Sequence, residues 1–215
     1  GTCHILRNQD LPLPAEFDQA FAASSVLYFE TDVGRLQSPE TQQRILAEGM
    51  FLDGRSLEQV LTPAAWKAAK AYGAKAGIPV EQMGMMKPWL LTVMMAVLEL
   101  QKLGVTMEGV DLRYYKQAIE TGKKTGALEP FDRHLAFLTN MGAGHESEMV
   151  AKSIADLSEM PAMINQLLTA WKTGDLVNRR IHISEQTLGG FCCADINDDR
   201  AGFYLFRLHG VWLPQ

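Results

Sequence analysis

Apolar positions along the chain follow two patterns, one with helical spacing and one of short continuous runs. Helical spacing is found in the segments 15–25, 39–50, 56–76, 112–122 and 145–173. The last segment predicts either one helix or two helices separated near Pro161. Short apolar runs that predict strands lie within 26–29, 103–111 and 123–129. Because short strands alternate with helices, the pattern predicts an α/β fold with a mostly parallel or mixed central sheet and flanking helices.

The segment 39–104 is helical throughout and predicts an inserted helical subdomain or lid. No repeat or long linker divides the chain, so we expect a single domain over 1–215. Within the insertion, Ser56 predicts a helix cap, Pro63 the start of a second helix and Gly77 its end.

One apolar run, 88–100, is long enough to raise the question of a membrane span. It is shorter than the roughly 20 residues that cross a bilayer, and it is bounded by charged residues. Proline is well tolerated in the first turn of a helix. The run therefore predicts a buried core helix that begins at Pro88, and no transmembrane segment.

Composition excludes some classes of partner but does not select a function. The net charge is −5, with 47% hydrophobic and 21% charged residues, as in ordinary soluble globular proteins. This charge gives no electrostatic footprint for nucleic acid. Three cysteines, two of them adjacent, make no disulfide framework and leave the cellular compartment open.

Residues able to bind a metal or move a proton follow several predicted strands. Glu30, Asp111 and Glu129 each end one, and His4 follows a strand that we expect to end before residue 1. Ligands of open parallel sheets bind at the carboxyl ends of the strands, so one histidine and three carboxylates would converge on one edge. Such a set suits manganese, zinc or iron and could activate water for hydrolysis.

Simpler interpretations stand beside this one. Acids are common at strand ends because turns favour them. Arg179 and Arg180 could clamp an anionic group or merely end a solvated helix. The other histidines carry a weaker signal, and the one in G-A-G-H-E predicts the start of a helix; they are His134, His145, His182 and His209.

Several short motifs occur together in a specific order. They are G-T-x-H, L-P-L-P, F-E-T-D, K-P-W, E-G-V-D, K-K-T-G-A-L-E, A-W-K-T-G-D-L and N-R-R. In this combination the chain, from Gly1 to about Arg180, resembles the TraB/PrgY/GumN family. That family is related to the Tiki proteases and, more distantly, to erythromycin-esterase-like and ChaN-like proteins.

The resemblance implies an α/β fold with helical insertions and a metal-dependent hydrolase site. Gly1 and His4 match the first G-x-x-H motif, and Asp111 matches an aspartate expected to orient a ligand. The residues that match the metal-binding or catalytic positions are His4, Glu30, Glu129 and either Arg179 or Arg180. The implied cofactor is a divalent ion of the manganese, zinc or cobalt class, and the implied location is the bacterial periplasm or cell envelope, with the cytoplasm left open.

The chain departs from the family pattern after the arginine tract. Where a second G-x-x-H is expected, the sequence reads G-F-C-C-A-D-I-N-D-D-R-A-G, and Asp195 could replace the missing ligand. Two hypotheses remain. One is a metal-dependent hydrolase of a peptide or a related amide or ester. The other is a non-catalytic protein on the same scaffold that sequesters a peptide, haem or a metal. Oligomeric state is left open.

Overall fold

The computed structural model describes residues 3–106 and 108–173, where helices surround two small sheets. The strands are β1 (Leu6–Arg7), β2 (Val26–Phe29), β3 (Val105–Thr106) and β4 (Lys124–Ala127). The α-helices are α1 (Ala15–Ala23), α2 (Val33–Leu36), α3 (Pro39–Gly49), α4 (Leu57–Val60), α5 (Pro63–Ala76), α6 (Pro88–Lys102), α7 (Val110–Glu120), α8 (Phe131–Thr139) and α9 (Glu146–Thr173). Short 3₁₀ helices cover Asn8–Asp10 and Val80–Met83. The mixed α/β class is the predicted one.

The two sheets differ in strand direction. Strands β2 and β4 are parallel, with Val26 opposite Lys124 and Phe29 opposite Ala127. Strands β1 and β3 are antiparallel and only two residues long. The parallel pair therefore supplies the shared carboxyl edge that the sequence led us to expect.

Local signals in the sequence set the helix ends of the 39–104 segment. The hydroxyl of Ser38 accepts a hydrogen bond from the Thr41 amide at 3.2 Å, which caps α3. A threonine before Pro63 caps α5 in the same way, and Gly77 ends it with a positive φ of 70°. These ends lie within a residue or two of the predicted ones.

One predicted element needs correction, and the open question at Pro161 is resolved. The strand expected to end in Asp111 ends at Thr106 instead, and Asp111 lies in the first turn of α7. A carboxylate is favourable there because the amino end of a helix carries partial positive charge. The segment 145–173 is one continuous helix through Pro161, and its apolar face packs against α5 and α6.

The core joins the long helices to both sheets. Leu91 and Met95 of α6 and Met160 of α9 are fully buried, as is Ile5 beside β1. Burying side chains of this size contributes about 1.5–3 kcal/mol each before entropy is counted. In the described part of the chain, no helix is long and apolar enough to cross a membrane.

A buried carboxylate ties the first described residues to the last helix. Asp10 accepts hydrogen bonds from the Arg7 amide at 3.0 Å and the Arg7 Nε at 2.9 Å, and from Lys172 Nζ at 2.6 Å. Burial raises the pKa of Asp10, but the hydrogen bonds from Arg7 and Lys172 outweigh it and lower the pKa to about 2. Arg7 also donates to Asn165 of α9 at 2.5 Å.

We predict that Asp10→Asn lowers the free energy of unfolding by about 2 kcal/mol, because a buried neutral amide cannot replace the carboxylate's charge-assisted hydrogen bonds with Arg7 and Lys172. The folded pKa lies below the unfolded value near 3.8. The loss of unfolding free energy relative to wild type should thus be greatest above pH ~4 and shrink as the pH falls toward 2. Urea denaturation across this pH range measures it. Asp53→Asn, which breaks an exposed pair with Arg55, is the control and should change the free energy of unfolding far less. Equal losses in both variants would contradict the structural role of Asp10.

Candidate functional site

Two glutamates lie side by side at the carboxyl edge of the parallel strands. The ladder of β2 and β4 continues past both strands, with the Leu128 amide donating to the Phe29 carbonyl at 2.9 Å and the Glu129 amide to the Glu30 carbonyl at 2.8 Å. Because the strands are parallel and in register, Glu30 and Glu129 leave the sheet at the same edge, as predicted.

A histidine completes a group of three donors with these acids. Pro130 follows Glu129 directly and precedes α8, so the first turn of that helix brings His134 back toward the strand end. Its Nδ1 lies 3.4 Å from Glu129 Oε2. One donor atom from each of Glu30, Glu129 and His134 lies within 4.8 Å of the other two.

His134 is one of the histidines for which the sequence carries a weaker signal. The usable signal was a histidine five residues after a strand-end acid, in E-P-F-D-R-H. The histidine of G-A-G-H-E does start a helix as predicted, since α9 begins at Glu146. His145 makes only an exposed contact with Glu148 at 3.1 Å.

A second histidine bridges two carboxylates at the same place. His4 Nδ1 lies 2.5 Å from Asp111 Oδ2, and His4 Nε2 lies 3.2 Å from Glu30 Oε2. The side chain of His4 is 30% exposed, so one side of the ring stays accessible to solvent. The structure thus brings together the four strand-associated residues predicted from sequence and adds His134 to them.

Electrostatics favour the charged form of His4 when no cation is bound. Burial lowers its pKa, but the hydrogen bonds to Asp111 and Glu30, and their negative charges, raise it to about 10. The pKa of His4 in the unfolded chain is near 6.5. This bridge therefore contributes its full stabilisation below pH ~6.5, and that contribution is lost as the pH rises through 10.

Gly109 allows His4 and Asp111 to meet. The Val110 amide donates to the Cys3 carbonyl at 2.9 Å, which presses the start of α7 against the backbone of residues 3–4. A Cβ at position 109 would lie 2.1 Å from the His4 carbonyl carbon and 2.3 Å from the Cys3 oxygen. Backbone atoms on both sides cannot yield as a flexible side chain could, so only glycine fits.

The remaining predicted site residues lie outside the described residues. They are Gly1, Arg179, Arg180 and Asp195. Their roles stay predictions. Among the described residues, the donor set of two carboxylates and an imidazole suits manganese or zinc.

The fold and this cluster define a class: a mixed α/β protein with carboxylates and histidines gathered at the carboxyl edge of a parallel strand pair. The chain belongs to the TraB/PrgY/gumN family, whose family model matches residues 1–192. This confirms the resemblance drawn from the sequence motifs. Comparisons with curated proteins and with solved structures found no match.

We predict that Gly109→Ala lowers the free energy of unfolding by about 1–3 kcal/mol through overpacking. It should also lower the pKa of His4, because α7 must move and carry Asp111 away from the ring. Urea denaturation and an NMR titration of the His4 ring measure the two effects. Gly84→Ala is the matched control, since Gly84 is helical at φ −56° and its nearest neighbour would be 3.3 Å away. An unchanged His4 pKa in Gly109→Ala would show that this glycine does not position the pair.

Proposed function

We propose that this protein is a divalent-metal-dependent hydrolase in which Glu30, Glu129 and His134 hold the cation. The observation that carries the proposal is the convergence of their donor atoms within 4.8 Å of one another. Two carboxylates and one imidazole form an oxygen-rich set of borderline hardness, which fits manganese or zinc and leaves coordination positions open. A catalytic metal site commonly uses three protein ligands for this reason.

A cation held there would supply Lewis acidity toward a carbonyl group and would make water a better nucleophile at neutral pH. The protein residues around it have separate tasks. Glu30 and Glu129 are fixed by the backbone ladder of β2 and β4, so their carboxylates need little rearrangement to bind. His134 is fixed by the first turn of α8.

We assign His4 to proton transfer and Asp111 to positioning His4. Asp111 accepts the Nδ1–H of the ring, which directs Nε2 toward Glu30 at the edge of the donor group. A histidine oriented in this way can hold or deliver a proton beside the reacting bond. The earlier hypothesis of His4 as a metal ligand is less well supported, because His4 is not among the three mutually close donors.

Membership of the TraB/PrgY/gumN family supports, without establishing, the substrate class of peptides or related amides and esters. A location in the periplasm or cell envelope is proposed on the same basis. In the alternative, a non-catalytic binding protein, the same donor group retains a metal without turnover. A measurement of activity, rather than of metal content, therefore separates the hydrolase from the binding protein.

We predict that the full chain binds one Mn²⁺ or Zn²⁺ and that Glu30→Gln, Glu129→Gln and His134→Gln each lose it. His4→Gln should keep the one-to-one stoichiometry, with affinity reduced by no more than the roughly 10–100-fold expected for an outer-sphere partner. Isothermal titration and elemental analysis measure this. His145→Gln is the matched control, because that ring is 74% exposed and pairs with Glu148, which is not one of the proposed donors. Normal metal binding by His134→Gln would overturn the proposed ligand set.

Hydrolysis is tested with the metal-loaded protein on a defined peptide mixture analysed by mass spectrometry. Wild type should cleave it, and His4→Gln should retain metal but lose about 10²–10⁴-fold in rate, the range for general acid–base catalysis. If the loaded wild type cleaves nothing beyond the Glu30→Gln background, the hydrolase proposal fails and the binding-protein alternative is favoured.

A further inference from the structure

Two arginines from different helices converge on one carboxylate beside the donor group. Arg35 of α2 reaches Asp132 with both terminal nitrogens, each 3.3 Å from a carboxylate oxygen. Arg44 of α3 donates to the same Asp132 at 2.9 Å. Paired contact from a planar guanidinium is the geometry with which arginine recognises a free carboxylate.

The two guanidinium groups are held in place by other contacts. The Arg35 guanidinium carbon lies 4.2 Å above the ring of Phe131, which is buried. The Nε of Arg44 donates to Glu48 at 2.6 Å, which leaves a terminal nitrogen for Asp132. Asp132 itself is 62% exposed. A pre-oriented pair of cations therefore faces an anion that solvent, or another anion, can replace.

The arginine pair and the proposed metal donors are connected through the chain. Asp132 lies in the first turn of α8, three residues after Glu129 and two before His134. Arg35 follows Glu30 by five residues, through α2. The segments that carry Arg35 and Asp132 thus continue directly from the strand ends that carry the two glutamates, and Arg44 reaches the same carboxylate from α3.

We infer that Arg35 and Arg44 form a subsite for a carboxylate of a short peptide, and that Asp132 fills this subsite when no peptide is bound. The inference rests on the proposed function, and deepens it by naming a substrate with an anionic group near the bond that is cleaved. The carboxylate can be the peptide's C-terminus or an acidic side chain, since both present the same two oxygens.

An ordinary surface ion pair would give the same distances but different behaviour in variants. Exposed ion pairs contribute little to the free energy of unfolding, so removing Asp132 should hardly affect folding. If Asp132 merely stabilised the surface, its removal would not change the binding of any peptide. If it occupies a subsite, Asp132→Asn removes a competitor and peptide acids bind more tightly.

The test titrates three probes by NMR into the full chain as purified, and again after EDTA. The probes are acetyl-Ala-Ala with a free C-terminus, acetyl-Ala-Ala amide, and acetyl-Ala-Asp amide. Wild type should prefer one or both acids over the neutral amide. Asp132→Asn should bind the preferred acid about fivefold more tightly, and Arg35→Gln and Arg44→Gln should lose the preference. The acid that shows this pattern identifies which carboxylate is recognised.

A matched control is Arg55→Gln. Arg55 also pairs with an exposed aspartate and lies over a phenylalanine ring, at 5.2 Å, but belongs to a different surface. It should leave all three affinities unchanged. Equal binding of acids and amide to wild type, no detectable binding at the solubility limit, or no tightening in Asp132→Asn would each overturn the subsite. The titration after EDTA needs no bound metal. It can therefore overturn the subsite without affecting the proposed metal centre, and loss of the metal-centre proposal would leave this titration valid.

Discussion

The parallel pairing of β2 with β4, extended by the Glu129-to-Glu30 backbone hydrogen bond at 2.8 Å, determines where the three proposed metal donors lie. A slip by one residue would send one glutamate to the opposite face of the sheet. The pairing also sets the direction in which the chain leaves for Pro130 and α8. Through α8 it places His134 beside the glutamates, so one strand register positions all three proposed metal donors.

His4 reaches this edge from a separate part of the molecule, and tight backbone packing brings it there. Gly109 allows α7 to contact the backbone of residues 3–4. The buried Asp10, a few residues further along, is held against α9 by its hydrogen bond from Lys172. Several carboxylates gathered in one place repel one another unless positive charge offsets that repulsion. The protonated ring of His4 offsets part of this repulsion here, and a bound cation would offset more of it.

The sequence could predict the glutamates because strand ends and parallel strands follow from local pattern alone. The helix ends at Ser56, Pro63 and Gly77 could also be predicted, since each has a local physical cause. Asp111 was correctly grouped with His4 but wrongly placed on a strand, because β3 ends at Thr106 and α7 already begins at Val110. His134 left only the weak signal of its spacing from Glu129, and the arginine pair left none, since their positions depend on how α2, α3 and α8 pack after the strands are paired.

The central claim is that Glu30, Glu129 and His134 form a metal site with His4 beside it. Anomalous X-ray diffraction from crystals grown with Mn²⁺ tests this most directly, because the peak locates the ion independently of any activity. The account predicts one strong peak bonded to these three side chains, with His4 still held by Asp111. An ion bound elsewhere, or one bonded to His4 and not to His134, would contradict it.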